Sequence, residues 1–193
     1  MEKITEHIYE LLHLLKKELE TKPRVVLAID GTSAALKSTL ADYLAKELDA
    51  AIVHCDDFFL PMELRSEERY KEPGGNVHYE RLKEEVIDHI CEQKEFNYRC
   101  YNCSKDGFGG LVQIENKQMI VVEGVYSLHP YLGKYYDLSV FLTVDAQVQM
   151  ARIERRNPNP QVFRDRWIPL EQAYFAAYNI AGQADLILDT TMW

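Results

Sequence analysis

Residues 25–44 read VVLAIDGTSAALKSTLADYL, and the order of residue types in this stretch decides the fold. Val25 to Ile29 is an apolar, β-branched run of the kind that forms a buried strand. Asp30 to Ala35 are small and turn-forming, and from Lys37 onward Leu40, Tyr43 and Leu44 recur at helical spacing. Strand, tight loop and helix in that order are the layout of a phosphate-cradling P-loop. In such a loop a first glycine turns the chain, backbone N–H groups face the phosphates, a lysine reaches the outer phosphates, and a serine or threonine meets magnesium. Gly31, Lys37 and Ser38 stand at the required offsets.

One position departs from the pattern G-x-x-x-x-G-K-[ST]. The chain has GTSAALKS, so Leu36 replaces the glycine that lets backbone and phosphate approach closely. Either the loop binds nucleotide in a modified geometry, or Leu36 fills the phosphate site and weakens or disables the protein. The plainer alternative is a strand, a turn and a helix that carry Lys-Ser by coincidence.

The 193 residues fit one domain, 1–193, and 47% hydrophobic content suffices for a substantial core. A formal charge of −9 argues against nucleic-acid binding, which needs a large basic face. A small anionic ligand needs only a local patch. No run of eighteen apolar residues and no basic-then-apolar leader is present, so neither membrane insertion nor export is expected and the expected location is the cytoplasm. Cys55 and Cys91 sit in apolar strand and helix patterns, as reduced cysteines do. Cys100-x-x-Cys103 has metal or redox spacing, but no second pair or nearby histidine completes a zinc site.

Outward from the loop, Ile4, Ile8, Leu11, Leu12, Leu15 and Leu19 predict an amphipathic helix over about 3–20, ending before Pro23. It either docks on the sheet or forms a dimer, and a homo-oligomer stays open. Ala51 to His54 reads as a second strand running into Asp56 and Asp57, two carboxylates at a strand's C-terminal end, where α/β folds bind ligands; a turn or cap is the alternative for such a pair. Residues 60–77, with Pro61, Pro73, Gly74 and Gly75, read as a long excursion of the lid or binding type. Tyr79, Leu82, Val86 and Ile90 mark a helix to about Lys94. A hairpin insertion with a glycine-rich turn at KDGFGG is expected over about 96–115. Strands follow at Met119–Val122, ending in Glu123-Gly124, and at Leu138–Val144, with Asp145 as helix N-cap. Residues 152–166 hold Arg152, Arg155, Arg156, Arg164 and Arg166 against Glu154 and Asp165. Such a cluster, broken by Asn157-Pro158-Asn159-Pro160, suits an arginine lid over a phosphate, or else a solvated helix end. A helix over 167–181 and a last strand at Ala184–Leu188 complete an alternation of strands and helices. The expected fold class is α/β, a parallel five-stranded sheet with helices on both faces.

With these segments placed, the chain from Val25 to Asp189 resembles the uridine kinase and phosphoribulokinase branch of the P-loop kinases, in particular its bacterial uridine-kinase-like members. The resemblance rests on AIDGTSAALKST, HCDDFFLP, EPGGNVHYERL, YNC, VVEGVY, RIERRN, RDRWIPLEQAYF and ADLILD in this order. It implies ATP and Mg²⁺ as cofactors and a small-molecule phosphate acceptor. Nucleotide would be held by Gly31, Thr32, Ser33, Ala34, Ala35, Leu36, Lys37, Ser38, Thr39 and Arg152. Asp56 would be the catalytic carboxylate, with Lys37 and Arg156 acting on the phosphates and Ser38, Asp56 and Glu123 at the metal. Asp57, Phe59, Asn76, His78, Tyr79, Tyr101 and Arg164 would meet the acceptor. Asp56 and Asp57 could exchange roles. Besides Leu36, His78 stands where the family has a sugar-binding aspartate, and Phe59 and Asn102 stand where Tyr and Asp are usual. The implied reaction is transfer of the γ-phosphoryl group of ATP to a primary hydroxyl, with uridine or cytidine the first candidate.

Overall fold

A computed structural model describes residues 2–103 and 105–193, with the side chains of residues 2–5, and so that of Ile4, outside the described set. The chain begins with α1 (Glu2–Thr21), β1 (Val25–Gly31), α2 (Lys37–Leu48) and β2 (Ala50–His54). The excursion after β2 carries single helical turns at Cys55–Phe58 and Met62–Leu64 and a short helix α3 (Glu67–Lys71). A helical run follows: α4 (Tyr79–Leu82), a wide turn at Lys83–Ile87, and α5 (Asp88–Ile90). The hairpin strands are β3 (Phe96–Asn102) and β4 (Gly107–Ile114), followed by β5 (Met119–Glu123) and β6 (Leu138–Thr143). The last third holds α6 (Ala146–Arg156), α7 (Pro160–Val162), a wide turn at Phe163–Trp167, α8 (Ile168–Tyr178), α9 (Ile180–Gln183) and β7 (Leu186–Asp189).

Five strands form one parallel sheet in the order β2-β5-β1-β6-β7, as the alternation predicts. The reason is visible in β1, whose residues are buried along its whole length. Val25, Leu27 and Ile29 point into a core shared with Leu11, Leu12 and Leu15 of α1 and Leu40 and Leu44 of α2. Val26 points the other way, into a core with Leu82, Val86 and Ile90 of the helical run and Tyr174 of α8. A strand apolar on both faces needs helices on both faces.

Three boundaries differ from the sequence reading. The glycines at 107–110 belong to β4, where Phe108 pairs with Tyr101 and Gly107 with Asn102, so the turn lies before them. The helix expected to reach Lys94 stops at Ile90. The helix expected over 167–181 breaks at Asn179, whose φ of +48° closes α8. The N-cap reading of Asp145 holds: its carboxylate accepts from the amides of Gln147 and Val148.

The chain crosses from β2 and β5 on one side of β1 to β6 and β7 on the other, and ligands in open α/β sheets bind at such a reversal, beyond the strands' C-terminal ends. Ile29 and His54 stand level with Glu123 in the register. The ends of β1, β2 and β5 therefore open into one crevice.

Candidate active site

The loop after β1 closes tightly on the sheet. Gly31 has φ +136°, and a Cβ there would lie 2.0 Å from the Leu142 carbonyl oxygen of β6, so only glycine fits. The Thr32 amide donates to the same oxygen at 3.0 Å. Ala34 and Leu36 both have left-handed backbones, with φ +61° and +64°. Leu36 thus adopts the conformation the motif assigns to glycine, and its side chain lines the cleft. The first intrahelical bond of α2 runs from the Leu40 amide to the Leu36 carbonyl. The amides of Lys37, Ser38 and Thr39 precede it, at a helix N-terminus suited to an anion. Lys37 curls back, its ammonium donating to the carbonyls of Gly31 at 2.7 Å and Thr32 at 2.9 Å.

A cleft of about 390 Å³ lies over this loop. Ser33, Ala34, Leu36, Lys37, Ser38, Thr39, Asp56, Phe59, Asn76, Glu123 and Arg156 line it, all named from the sequence. Ser38 Oγ donates to Glu123 Oε1 at 3.0 Å, and His54 Nδ1 lies 2.6 Å from the same oxygen. That contact holds the His54 imidazole above its usual pKa. The walls around Asp56 push its carboxyl upward and Lys37 opposes the rise; the side chain is open to water in the cleft, which tempers both effects. Among the described residues no group of three or more His, Cys, Asp or Glu side chains is disposed to hold a metal alone. The Glu123 and Asp56 carboxylates beside the Ser38 hydroxyl fit a magnesium ion, which takes one or two carboxylates and completes its shell from phosphates and water.

Other residues named from the sequence lie elsewhere. Asp57 is committed to the hairpin: one carboxylate oxygen accepts from the Tyr98 hydroxyl at 2.7 Å and the other from the Cys100 thiol at 2.8 Å. The Tyr101 hydroxyl bonds Asp106. Tyr79 bonds Arg69 and Glu72 and stacks on His129, 4.4 Å between ring centres. None of these three lines the cleft, nor does His78, which precedes α4 and whose amide donates to the Phe58 carbonyl. Of the arginine stretch, Arg156 reaches the cleft. Arg152 instead binds the carbonyls of Ala34, Thr190 and Trp193. Arg164 stands 3.8 Å from Glu154, both well exposed, a pair of little energetic weight.

The cleft also contains residues to which the sequence reading gave no site role, although five of them lie inside the quoted motifs: Cys103, Tyr126, Asn157, Trp167 and Glu171, joined by Val162 and Phe163. Trp167 packs on Phe59 at 5.8 Å and forms an aromatic wall. The available signal was the spacing of Trp167 and Glu171, one helical turn apart beside the arginine stretch.

Sheet order, loop and cleft together define an α/β protein of the P-loop NTPase fold type. Within that class, comparison shows the chain to be similar to the uridine kinase of Haemophilus ducreyi, 27% identical over 157 residues that cover 73% of this chain and 70% of that protein. In fold it is similar to a possible uridine kinase from Bacillus stearothermophilus, with TM-score 0.73, 22% identity and coverage of 98% and 100% of the two chains. It is also similar to YFH7 from Saccharomyces cerevisiae, a candidate P-loop kinase with a circular permutation, with TM-score 0.65, 12% identity and coverage of 96% and 98%. No protein-family model matches. The resemblance to the uridine-kinase-like branch, read from the motifs, stands in sequence and in fold.

Proposed function

We propose that this protein transfers the γ-phosphoryl group of ATP to a hydroxyl of a small metabolite, with a pyrimidine nucleoside as first candidate. The observation that carries the reading is the meeting of Lys37, Ser38, Asp56 and Glu123 in one cleft with an aromatic wall opposite. Phosphoryl transfer asks the protein for alignment, charge neutralisation and a proton acceptor.

Each requirement has a residue. Lys37 leaves its two carbonyl partners to meet the outer phosphates, and Arg156 approaches from the opposite wall. Ser38 and Glu123, with Asp56, would hold magnesium, which supplies positive charge beside the phosphates when bound. Asp56, open to the cleft, accepts the proton of the attacking hydroxyl. Phe59 and Trp167 offer flat apolar faces to an acceptor's ring, and the buried Asn76 carboxamide oxygen has no hydrogen-bond partner among the described residues, so a turn of this side chain toward the cleft would let it accept from an acceptor's N–H or O–H. The Haemophilus ducreyi uridine kinase supports uridine as the first acceptor to try, with cytidine beside it as the resemblance implies. The cysteines are free, which agrees with a reducing compartment such as the cytoplasm.

Asp56→Asn tests the reading. Turnover with Mg-ATP and the best acceptor should fall by about two orders of magnitude or more while nucleotide binding persists; unchanged turnover would remove Asp56 from the chemistry. A second reading has its own observation: Leu36 lines the cleft where a glycine would leave room. It makes the chain a nucleotide-binding protein of the same fold with weakened catalysis, recognised by binding without transfer to any acceptor.

A further inference from the structure

Two loop residues, Ala34 and Leu36, hold left-handed backbones without being glycine. Such conformations persist where the surroundings over-determine them. Three side chains from the last third of the chain supply that constraint. Gln149 Nε2 of α6 donates to the Ser33 carbonyl at 3.0 Å, and Arg152 of α6 donates to the Ala34 carbonyl at 3.1 Å. Glu171 of α8 accepts from the Ser33 amide at 2.9 Å and from the Ser33 hydroxyl. Glu171 is 5% exposed, and a buried carboxylate without hydrogen bonds would be costly. Its position four residues after Trp167 places the loop contact and the aromatic wall on one helical segment.

We propose that Glu171 is a positioning residue: it holds residues 32–36 in their phosphate-cradling shape against the strain of Leu36 and couples that shape to the helix bearing the acceptor wall. The proposal rests on the reading of this loop as the nucleotide site. It distinguishes Glu171 from an acid that merely blocks phosphate, because a brace matters most where the loop is strained. Replacing Leu36 by glycine removes one of the two strained residues and should make the brace matter less.

The Ala35 amide reports on the loop, since its hydrogen bond is to the Thr32 carbonyl while those of Glu171 are to Ser33. Its hydrogen exchange is measured by NMR in the parent, Glu171→Gln, Leu36→Gly and the double variant, with thermal melts as a control for folding. Glu171→Gln should speed exchange by about tenfold in the parent, as loss of a charge-assisted hydrogen bond does, and by clearly less with Leu36→Gly. Equal acceleration in both backgrounds, or none in either, overturns the proposal. If Glu171→Gln does not fold, Ser33→Ala removes only the hydroxyl contact and should show the same background dependence. The exchange measurement needs no nucleotide, so it decides the brace even if the kinase reading fails. In a parallel Mg-ATP titration, weaker binding by Glu171→Gln in the Leu36 background supports the brace. Tighter binding would make Glu171 a blocker and end the proposal.

Discussion

Leu36 holds a left-handed backbone that costs an L-residue about 1–2 kcal/mol and glycine almost nothing. Leu36→Gly recovers that strain but adds chain entropy to the unfolded state, so a net gain of about 1 kcal/mol in denaturant unfolding is expected. A loss would mean that Leu36 packing outweighs the strain. Gly31 is the opposite case. Gly31→Ala would drive a methyl group against the Leu142 carbonyl at 2.0 Å, and a loss of more than about 3 kcal/mol in the same unfolding measurement is expected. The motif showed Gly31, Lys37 and Ser38 directly. The resemblance put Asp56 first but left an exchange with Asp57 open, because what commits Asp57 is a hydroxyl and a thiol 41 and 43 residues away on the hairpin, and adjacent residues carry no trace of such a pairing.

Elements were legible where one period ran unbroken and illegible where tertiary pairing set the outcome. The five sheet strands appeared as apolar runs, and Asp145 as a cap. The glycines of β4 look like a turn locally, yet strand pairing with Tyr101 and Asn102 extends them. The arginine stretch read as one lid or a solvated helix end, but its members serve different ends: Arg156 faces the cleft, Arg152 clasps the chain near Thr190 and Trp193, Arg166 lies over the rings of Tyr70 and Trp167, and Arg164 faces solvent beside Glu154. Between elements sits His129, stacked with Tyr79 and Tyr174 and 3% exposed. Burial holds its pKa below the usual 6.5, opposed first by the Pro73 carbonyl and then by Glu72 and Glu80, and reinforced by Arg69. The unfolded chain then binds the proton more readily than the fold does. Stability is full above about pH 6.5 and declines as pH falls toward the lower folded value. His129→Phe keeps a stacking ring and should flatten the fall of melting temperature between about pH 6.5 and 5. An unchanged slope would assign that fall to other groups.

For the whole molecule, the sheet separates two apolar cores, and α1 closes one of them with Leu11, Leu12 and Leu15. At about 2 kcal/mol for each buried leucine, that contribution is comparable to the total stability of about 5–15 kcal/mol expected of a domain. Removal of residues 1–21 should abolish cooperative melting, and a variant that still melts near the parent temperature would refute the packing role of α1. The other face carries α8, whose Tyr174 hydroxyl donates to the buried Asp30 at 2.9 Å and whose Glu171 binds the loop. The acceptor wall and the phosphate loop thus belong to one connected body. Among the described residues no helix is long and apolar enough to cross a membrane. The central claim is that the loop, with leucine at its glycine position, still receives a nucleoside triphosphate. It is tested most directly by calorimetric titration of the purified protein with Mg-ATP beside Lys37→Ala. Binding in the micromolar range by the parent, greatly weakened in Lys37→Ala, is the predicted result; no binding by the parent would contradict the account.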